Sequence, residues 1–400
     1  MPYSQVFREV ESWKKPLHAA YAYLAKLYLK SLPNVQVIGI TGSVGKTLTQ
    51  NAIASVLSQK YKVVVGDENL DPTFRIPQTV LKARPWHKFM VLEYGVEHPG
   101  DMDYYLWQVK PKFAIVTNIA PTHTKYFKSE RGVFQEKVKL VKSLPQTGTA
   151  ILNADDPMVV KMKADTKAGI FWFGRGSKSA IKISNFNQNL NGSTFRLHYQ
   201  ADTVIVSWNI VGKHQILSAL AAASMGIIAG LTLKQIAFGL SRVNAPRHRL
   251  SVIKTPKFNI LDDTYNSSPK AAKESIETLL DLGEHYQKIA VLGEMKDLGS
   301  LSQSAHGNLG KFISGTNINY LITIGKVAGI IGTSAGSGNF KGKVLNLSTT
   351  DLALKKIKKV AAKNSLILTK GSRHAHLERI VFALQGKSTQ ISCYHCGNLK

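Results

Sequence analysis

The chain has 400 residues, 44% of them hydrophobic and 19% charged, which excludes a disordered or low-complexity protein and is too long for one ordinary core. Fifty-two basic against 25 acidic side chains leave a net charge of +27, a surface that attracts polyanions such as nucleotides, phosphorylated substrates, anionic lipid or nucleic acid. Two cysteines provide no disulfide framework, and no secretory or membrane-spanning stretch is visible, so a cytoplasmic setting is the expectation.

Residues 1–34 read as a short basic helical segment. Trp13, Leu17, Tyr21, Leu24 and Tyr28 recur at helical spacing among Lys14, Lys15, Lys26 and Lys30, until Pro33 and Asn34 end it. Either this face packs on the following domain, or it lies on a membrane surface and makes the protein membrane-peripheral.

From Val35 the pattern becomes strand, loop, helix. Strands are expected at VQVIGI, KVVVG (62–66), FMVLEYG (89–95), FAIVTNI (113–119) and TAILNA (149–154), separated mostly by helices. Such alternation predicts a parallel sheet covered on both faces. Residues 182–212 read as short strands with Asn-Gly and Ala-Asp turns, an antiparallel appendage, and an alanine-rich helix follows from His214. A boundary falls near residues 243–250. The alternation then restarts with FNILDD, KIAVLGE, YLITIG, KVLNLS and SLILTKG, a second doubly wound unit. The expected domains are 1–34, 35–244 and 245–400, an α/β architecture of a P-loop domain followed by a Rossmann-like one.

The strongest local motif is Gly42-Ser43-Val44-Gly45-Lys46-Thr47, placed after an apolar strand and opening a helix. Glycines let backbone amides approach phosphate oxygens, and the helix N-terminus favours anions. Lys46 would reach the terminal phosphates of ATP and Thr47 would hold Mg2+. The loop is the shorter T-G-x-x-G-K-T form, because Ile40 stands where the general pattern has its first glycine.

This loop resembles the ATP loop of the Mur ligase family, and the motifs that follow keep the family's order. Leu92-Glu93-Tyr94-Gly95 resembles the strand-end glutamate that holds magnesium. Thr117-Asn118-Ile119 with His123 resembles a segment whose histidine is a second metal ligand. Lys137 falls where the family carries a carbamylated lysine, Asn153 begins the segment beside the adenine, and Gly212-Lys213-His214 resembles G-x-H at a helix start. In the last domain Asp262-Asp263-Thr264-Tyr265-Asn266-Ser267-Ser268-Pro269 is similar to DDSYNANP, residues 291–299 to LGDMLELG, and Lys370-Gly371-Ser372-Arg373 matches KGSR of the D-alanyl-D-alanine-adding branch.

The resemblance implies an ATP-dependent ligase that joins a carboxylate to an amine through an acyl-phosphate. The expected catalytic residues are Lys46, Lys137 and His123. The implied metal ligands are Thr47, Glu93 and His123. Arg249, Tyr265 and Asn266 would contact the nucleotide when the domains close, alongside Asn153, and Lys370 and Arg373 would bind the carboxylate of the amine substrate. Partners are nucleotide and peptide small molecules, and the dispersed aromatics give no stacking platform for nucleic acid. Oligomeric state is not read from the sequence.

Three departures bear on the acceptor. About 34 residues precede the first ATPase strand, where the family's adding enzyme has a whole domain for the UDP-sugar. Residues 69–77 match the family's N-x-N-N-x-x-G-x-P loop loosely, with Arg75 in place of glycine, and Gln215 and His248 also replace usual residues. Competing readings are therefore a ligase with another acceptor (a lipid-linked muropeptide, a polyglutamate or an amino-acid polymer) and a nucleotide-binding module with nucleic-acid affinity that does not ligate. Cys393 and Cys396 have zinc-like spacing without further cysteines and read as an incidental tail.

Overall fold

The computed structural model describes residue 6, residues 11–67 and residues 72–388. Asn69 to Asp71 of the expected loop, and the cysteine tail, lie outside the described residues. The chain forms two compact units, residues 1–187, 194–209 and 215–243 in the first and 188–193, 210–214 and 244–400 in the second.

The first unit runs through α1 (Lys15–Lys30), β1 (Gln36–Thr41), α2 (Lys46–Leu57), β2 (Val63–Val65), α3 (Pro72–Lys82), β3 (Phe89–Glu93) and α4 (Asp101–Gln108). It continues with β4 (Phe113–Val116), α5 (Thr124–Phe127), α6 (Glu130–Lys142), β5 (Thr149–Asn153), α7 (Pro157–Lys161) and β6 (Gly169–Phe173). Strands β7 (Ile181–Asn189), β8 (Gly192–Tyr199) and β9 (Asp202–Trp208) and helices α8 (Ile216–Ile228) and α9 (Leu233–Ser241) complete it.

Its sheet has nine strands in the order β2-β3-β1-β4-β5-β6-β7-β8-β9. Strand β1 lies parallel between β3 and β4, with Ile40 opposite both Glu93 and Ile115. β1, β3 and β4 are apolar and almost wholly buried, as strands covered on both faces must be. The register brings Thr41, Glu93 and Val116 to the carboxyl edge of the sheet, where open parallel sheets bind ligands. Strands β7 to β9 are not a separate appendage. β7 joins β6 in parallel through the single pair Phe173–Ile181 and continues the same sheet. The expected Asn-Gly and Ala-Asp turns do separate them, leaving two-residue connections that only antiparallel neighbours permit.

Helix α1 differs from its expected face. It packs on α3 and α4 through Ala19, Ala22 and Ala25, with Tyr28 donating its hydroxyl to the Ala83 carbonyl at 2.9 Å. Small side chains let the helix come close to its neighbours. Trp13, Leu17 and Leu24 of the expected buried face are 67%, 63% and 59% exposed. Among the described residues, no helix is long and apolar enough to cross a membrane.

The second unit contains β10 (Ser251–Lys254), β11 (Asn259–Asp263), α10 (Pro269–Leu282), β12 (Gln287–Leu292), α11 (Ser302–Ser314), β13 (Tyr320–Ile324) and α12 (Gly329–Gly336). β14 (Lys343–Leu347), α13 (Thr350–Val360), β15 (Ser365–Lys370) and α14 (Glu378–Leu384) follow. Its sheet order is β10-β11-β15-β12-β13-β14, parallel except for β10, which runs antiparallel on β11. Two apolar clusters sandwich it, one around Leu279, Leu309 and Leu368 and the other around Ile322, Ile357 and Val381.

Candidate active site

The turn from β1 to α2 needs left-handed backbone. Gly45 caps α2 at φ +86° and Gly42 turns at φ +144°. At Gly42 there is also no room, since a Cβ would lie 1.9 Å from Thr117 Oγ1. The loop is laced to the end of β4. Asn118 accepts from the Val44 amide at 3.1 Å and donates to the Val44 carbonyl at 2.9 Å, while Thr117 Oγ1 donates to the same carbonyl at 2.7 Å. Ser43 N donates to the Asn118 carbonyl at 2.9 Å, and Ser43 Oγ donates to the Ala120 carbonyl at 2.9 Å. Behind the loop α8 supports α2 through Thr49 Oγ1 and Ser218 Oγ, 3.0 Å apart.

Lys46 opens α2 and donates to the Gly42 carbonyl at 3.1 Å. Thr47, one residue on, is buried and donates to Glu93 Oε2 at 2.9 Å. Two hard oxygen donors thus converge where a phosphate loop meets a strand end. That donor set fits Mg2+, which keeps waters and phosphate oxygens for most of its shell. Among the described residues, no three His, Cys, Asp or Glu side chains form a ready cage. His123 is one residue beyond the segment bonded to Ser43, at the start of α5, in a left-handed backbone with φ +53°. Such strain in a non-glycine residue is a mark of positions held for function.

Lys137 is buried, only 2% exposed, although Lys139 and Lys142 follow it on the same helix. It lies on the apolar stripe of α6 with Val133, Leu140 and Val141. Burial pushes its amine well below the ordinary lysine range, the Lys46 charge acts in the same direction, and Glu93, Glu136 and Asp101 oppose them. A neutral amine is the form that reacts with CO2 to give a carbamate. Glu136 is itself tied down, accepting from the amides of Gly100 and Met102 at the start of α4.

Asn153 is buried at the end of β5, donating to the Thr117 carbonyl at 2.7 Å and accepting from the Asp155 amide. Here it braces the ends of two strands.

In the second unit two guanidinium groups lie against the Tyr265 ring, Arg249 at 3.8 Å and Arg373 at 5.2 Å from its centre. The chain reaches this point through His248 and Leu250, both left-handed, and the Tyr265 amide donates to the His248 carbonyl. Asp262 fixes the turn by accepting from Thr264 and pairing with His248 Nδ1 at 2.7 Å. Asn266 is exposed, its side chain accepting from the Ser267 amide. Lys370 is buried, and its ammonium is engaged by Asp263 at 2.7 Å and the Asn266 carbonyl at 2.9 Å. The structure therefore uses Lys370 to hold the 262–267 loop, while Arg373 is a partly exposed residue on the turn beyond it.

Sequence reasoning assigned no role to Arg75 beyond noting its replacement of glycine. Its guanidinium is buried 3.5 Å from Glu93 Oε2. An arginine in the first turn of an amphipathic helix is ordinarily exposed, and only the tertiary fold turns it inward. Lys137, in contrast, was findable from its place in the 133–137–140–141 stripe.

Comparison with known proteins agrees with this geometry. The Mur ligase middle domain matches residues 40–226, and the Mur ligase glutamate ligase domain matches residues 248–373. The chain is 32% identical over 364 residues to the UDP-N-acetylmuramoyl-tripeptide–D-alanyl-D-alanine ligase of Bacillus subtilis (strain 168), covering 90% of this chain and 78% of that one. The Escherichia coli (strain K12) ligase of the same name is 29% identical, with 94% and 82% covered. Among solved structures, MurF from Acinetobacter baumannii superposes with a TM-score of 0.85 at 25% identity, covering 92% of this chain and 81% of that one. MurF from Thermotoga maritima in complex with ADP shares the fold, with a TM-score of 0.82 at 23% identity and coverages of 92% and 84%. The phosphate loop, the strand-end glutamate and the buried lysine thus sit on a shared scaffold, and the chain belongs to the Mur ligase family.

Proposed function

We propose that this protein is an ATP-dependent, ADP-forming ligase that adds D-alanyl-D-alanine to a muramoyl tripeptide in the synthesis of peptidoglycan precursors. The observation that carries the reading is Lys137, buried on α6 within electrostatic reach of Lys46 and Glu93. A module that only bound nucleotide would have no use for a desolvated lysine there. The relatives named for this reaction support the substrate assignment.

A carboxylate becomes reactive towards an amine once phosphorylated, and the difficulty lies in bringing two anions together. Bound Mg2+ would neutralise phosphate charge and polarise the transferred group. Thr47 and Glu93 would hold it, with His123 near a second ion. Lys46 and the amides of residues 42–47 would bind the phosphates. Lys137, as a carbamate, would turn from a repelling cation into an anion able to orient metal. Arg249, Tyr265, Asn266 and Asn153 would serve the nucleotide, and Arg373 would bind the carboxylate of the amine substrate, with Lys370 setting its loop.

The test is ADP release from ATP and Mg2+ with a UDP-muramoyl tripeptide and D-alanyl-D-alanine. Release should need both substrates and vanish in Lys46→Ala. ATP binding without release would sink the UDP-sugar assignment.

A second reading of the acceptor is favoured by α1. Its exposed face presents Trp13, Leu17, Tyr21 and Leu24. Lys14, Lys15, Lys26 and Lys30 lie in or next to the helix, which has no acid. Apolar and cationic side chains together suit an anionic lipid surface, as in interfacial helices. On this reading the protein is membrane-peripheral and its acceptor a lipid-linked muropeptide. Co-sedimentation with phosphatidylglycerol vesicles, but not with phosphatidylcholine ones, is expected. Loss of that binding should follow Trp13→Ser with Leu17→Ser, and equal binding of wild type and variant would dismiss the reading.

A further inference from the structure

The Glu93 carboxylate has a second suitor besides metal. Arg75 Nη2 lies 3.5 Å from Glu93 Oε2, the same oxygen that accepts from Thr47 Oγ1 at 2.9 Å. Both members of this ion pair are buried. The stem of Arg75 is fixed. Its Cγ and Cδ occupy the space where a Cβ on Gly66 would approach to 2.8 and 2.9 Å, and its carbonyl accepts from Thr79 Oγ1 at 2.7 Å. The head is held loosely. Nη1 donates to the Asp67 carbonyl at 3.3 Å, and among the described residues Nε has no hydrogen-bond partner.

A guanidinium has five donors, and a structural arginine–carboxylate pair uses two of them in parallel at about 2.7–2.9 Å. Among the described residues Arg75 makes no such fork. A buried cation with unspent donors and a long ion pair is poised to take a better anion. The surroundings indicate which. A Cβ on Gly95 would lie 3.5 Å from Lys46 Cε and 3.6 Å from Glu93 Oε1, so the phosphate lysine and the metal carboxylate border one small space.

We propose that Arg75 and Mg2+ compete for Glu93, and that the guanidinium released by the metal binds the anionic reacting group, a carboxylate or its phosphorylated product. The inference rests on Thr47 and Glu93 as metal ligands. It makes Arg75 a positioning residue that couples two binding events. Metal frees the arginine for the anion, and by reciprocity the anion draws the arginine away from the carboxylate and tightens the metal.

The test is Mn2+ titration of the full chain with ADP, following the free Mn2+ signal by electron paramagnetic resonance. Arg75→Met removes the competitor and should bind Mn2+ roughly tenfold more tightly, the scale set by one buried unit charge nearby. Arg75→Lys keeps the charge and should stay within about twofold of wild type by the same argument. In steady state, Arg75→Met should raise KM for the acceptor more than it lowers kcat, and Arg75→Lys should restore part of the loss. If Arg75→Met does not fold, Arg75→Gln replaces it with the same expectation. Mn2+ affinity equal to or weaker than wild type in the neutral variant overturns the competition. An unchanged acceptor KM overturns the anion half. Wild type that binds no Mn2+ at all fails the metal reading itself, and this inference with it.

Discussion

Thr47 and Glu93 meet at 2.9 Å, although 46 residues separate them, because β1 and β3 are parallel neighbours in register and both end at the same sheet edge. The pair is the fixed point from which the rest of the candidate site is measured. Glu93→Gln keeps the hydrogen bond to Thr47 and removes the charge. It should raise the Mg2+ concentration needed for half-maximal ADP release by at least about tenfold and lower kcat, as expected when a metal loses its carboxylate. An unchanged Mg2+ requirement would remove Glu93 from the metal site.

Lys137 should carry a carbamate. Protein equilibrated with 13C-bicarbonate is expected to show a carbamate carbon resonance that Lys137→Met lacks. The variant should lose ADP release by about 100-fold or more, the usual scale for an electrostatic active-site group. It should fold at least as stably as wild type, because methionine fills the site without a desolvated amine. A variant with wild-type turnover would return Lys137 to a packing role.

Tyr265 should act through its ring face, since Arg249 and Arg373 lie against it. Tyr265→Phe keeps the face and should leave KM for ATP nearly unchanged. Tyr265→Ala should raise it about three- to tenfold, in line with roughly 1 kcal/mol for a cation–π contact. Equal effects of both variants would place the function in the hydroxyl instead.

Glu274 gives a pH signature. Burial first, and then Glu277 and Asp263 against the pull of Lys270 and Lys370, raise its carboxyl from 4.5 to about 7. A raised acid contributes stability that is complete below the unfolded value and is lost as pH climbs through the folded one. Between about pH 4.5 and 7 the folded state holds a proton that the unfolded state has released, so this group lowers stability as pH rises. Glu274→Gln should match wild type near pH 4.5 and exceed it by about 1–2 kcal/mol at pH 8, half or less of the full shift. Urea unfolding at the two pH values measures it, and parallel curves would contradict the assignment.

Gly42→Ala should damage the loop more than the fold. The added methyl must displace Thr117 Oγ1, which supports Val44. A cost of about 1–3 kcal/mol is expected from overpacking, with nucleotide binding weakened beyond what that loss explains. Nucleotide titration by calorimetry together with thermal melting separates the two effects.

The α/β alternation and the phosphate loop were legible because they rest on local patterns, an apolar strand, two glycines and a helix start. The motif order gave the metal and amine residues as a set of expectations, and of these the structure brings Thr47 and Glu93 into contact while it ties Lys370 to Asp263. What the sequence hid was direction. In α1 the aromatic and leucine stripe has the stronger helical periodicity, yet the fully buried residues are Ala19, Ala22 and Ala25, on the face that packs against α3 and α4. Strands β7 to β9 look like an independent hairpin set, and the one residue pair joining them to β6 leaves no mark in the sequence. Lys370 and Arg373 share one motif, but the first ends a buried strand and is neutralised by Asp263, while the second stands on the turn beyond it.

Asn118 supplies both an acceptor and a donor to the peptide of Val44, so one side chain does for the phosphate loop what a neighbouring strand does for a sheet edge. The curvature of the loop is thus held by the chain just beyond β4. Little chain freedom remains to be lost on capture, and nucleotide should enter as into a rigid socket, with fast association and a heat of binding free of any folding contribution. Changes at position 118 would then be felt first as slower capture of nucleotide, with the melting temperature little altered.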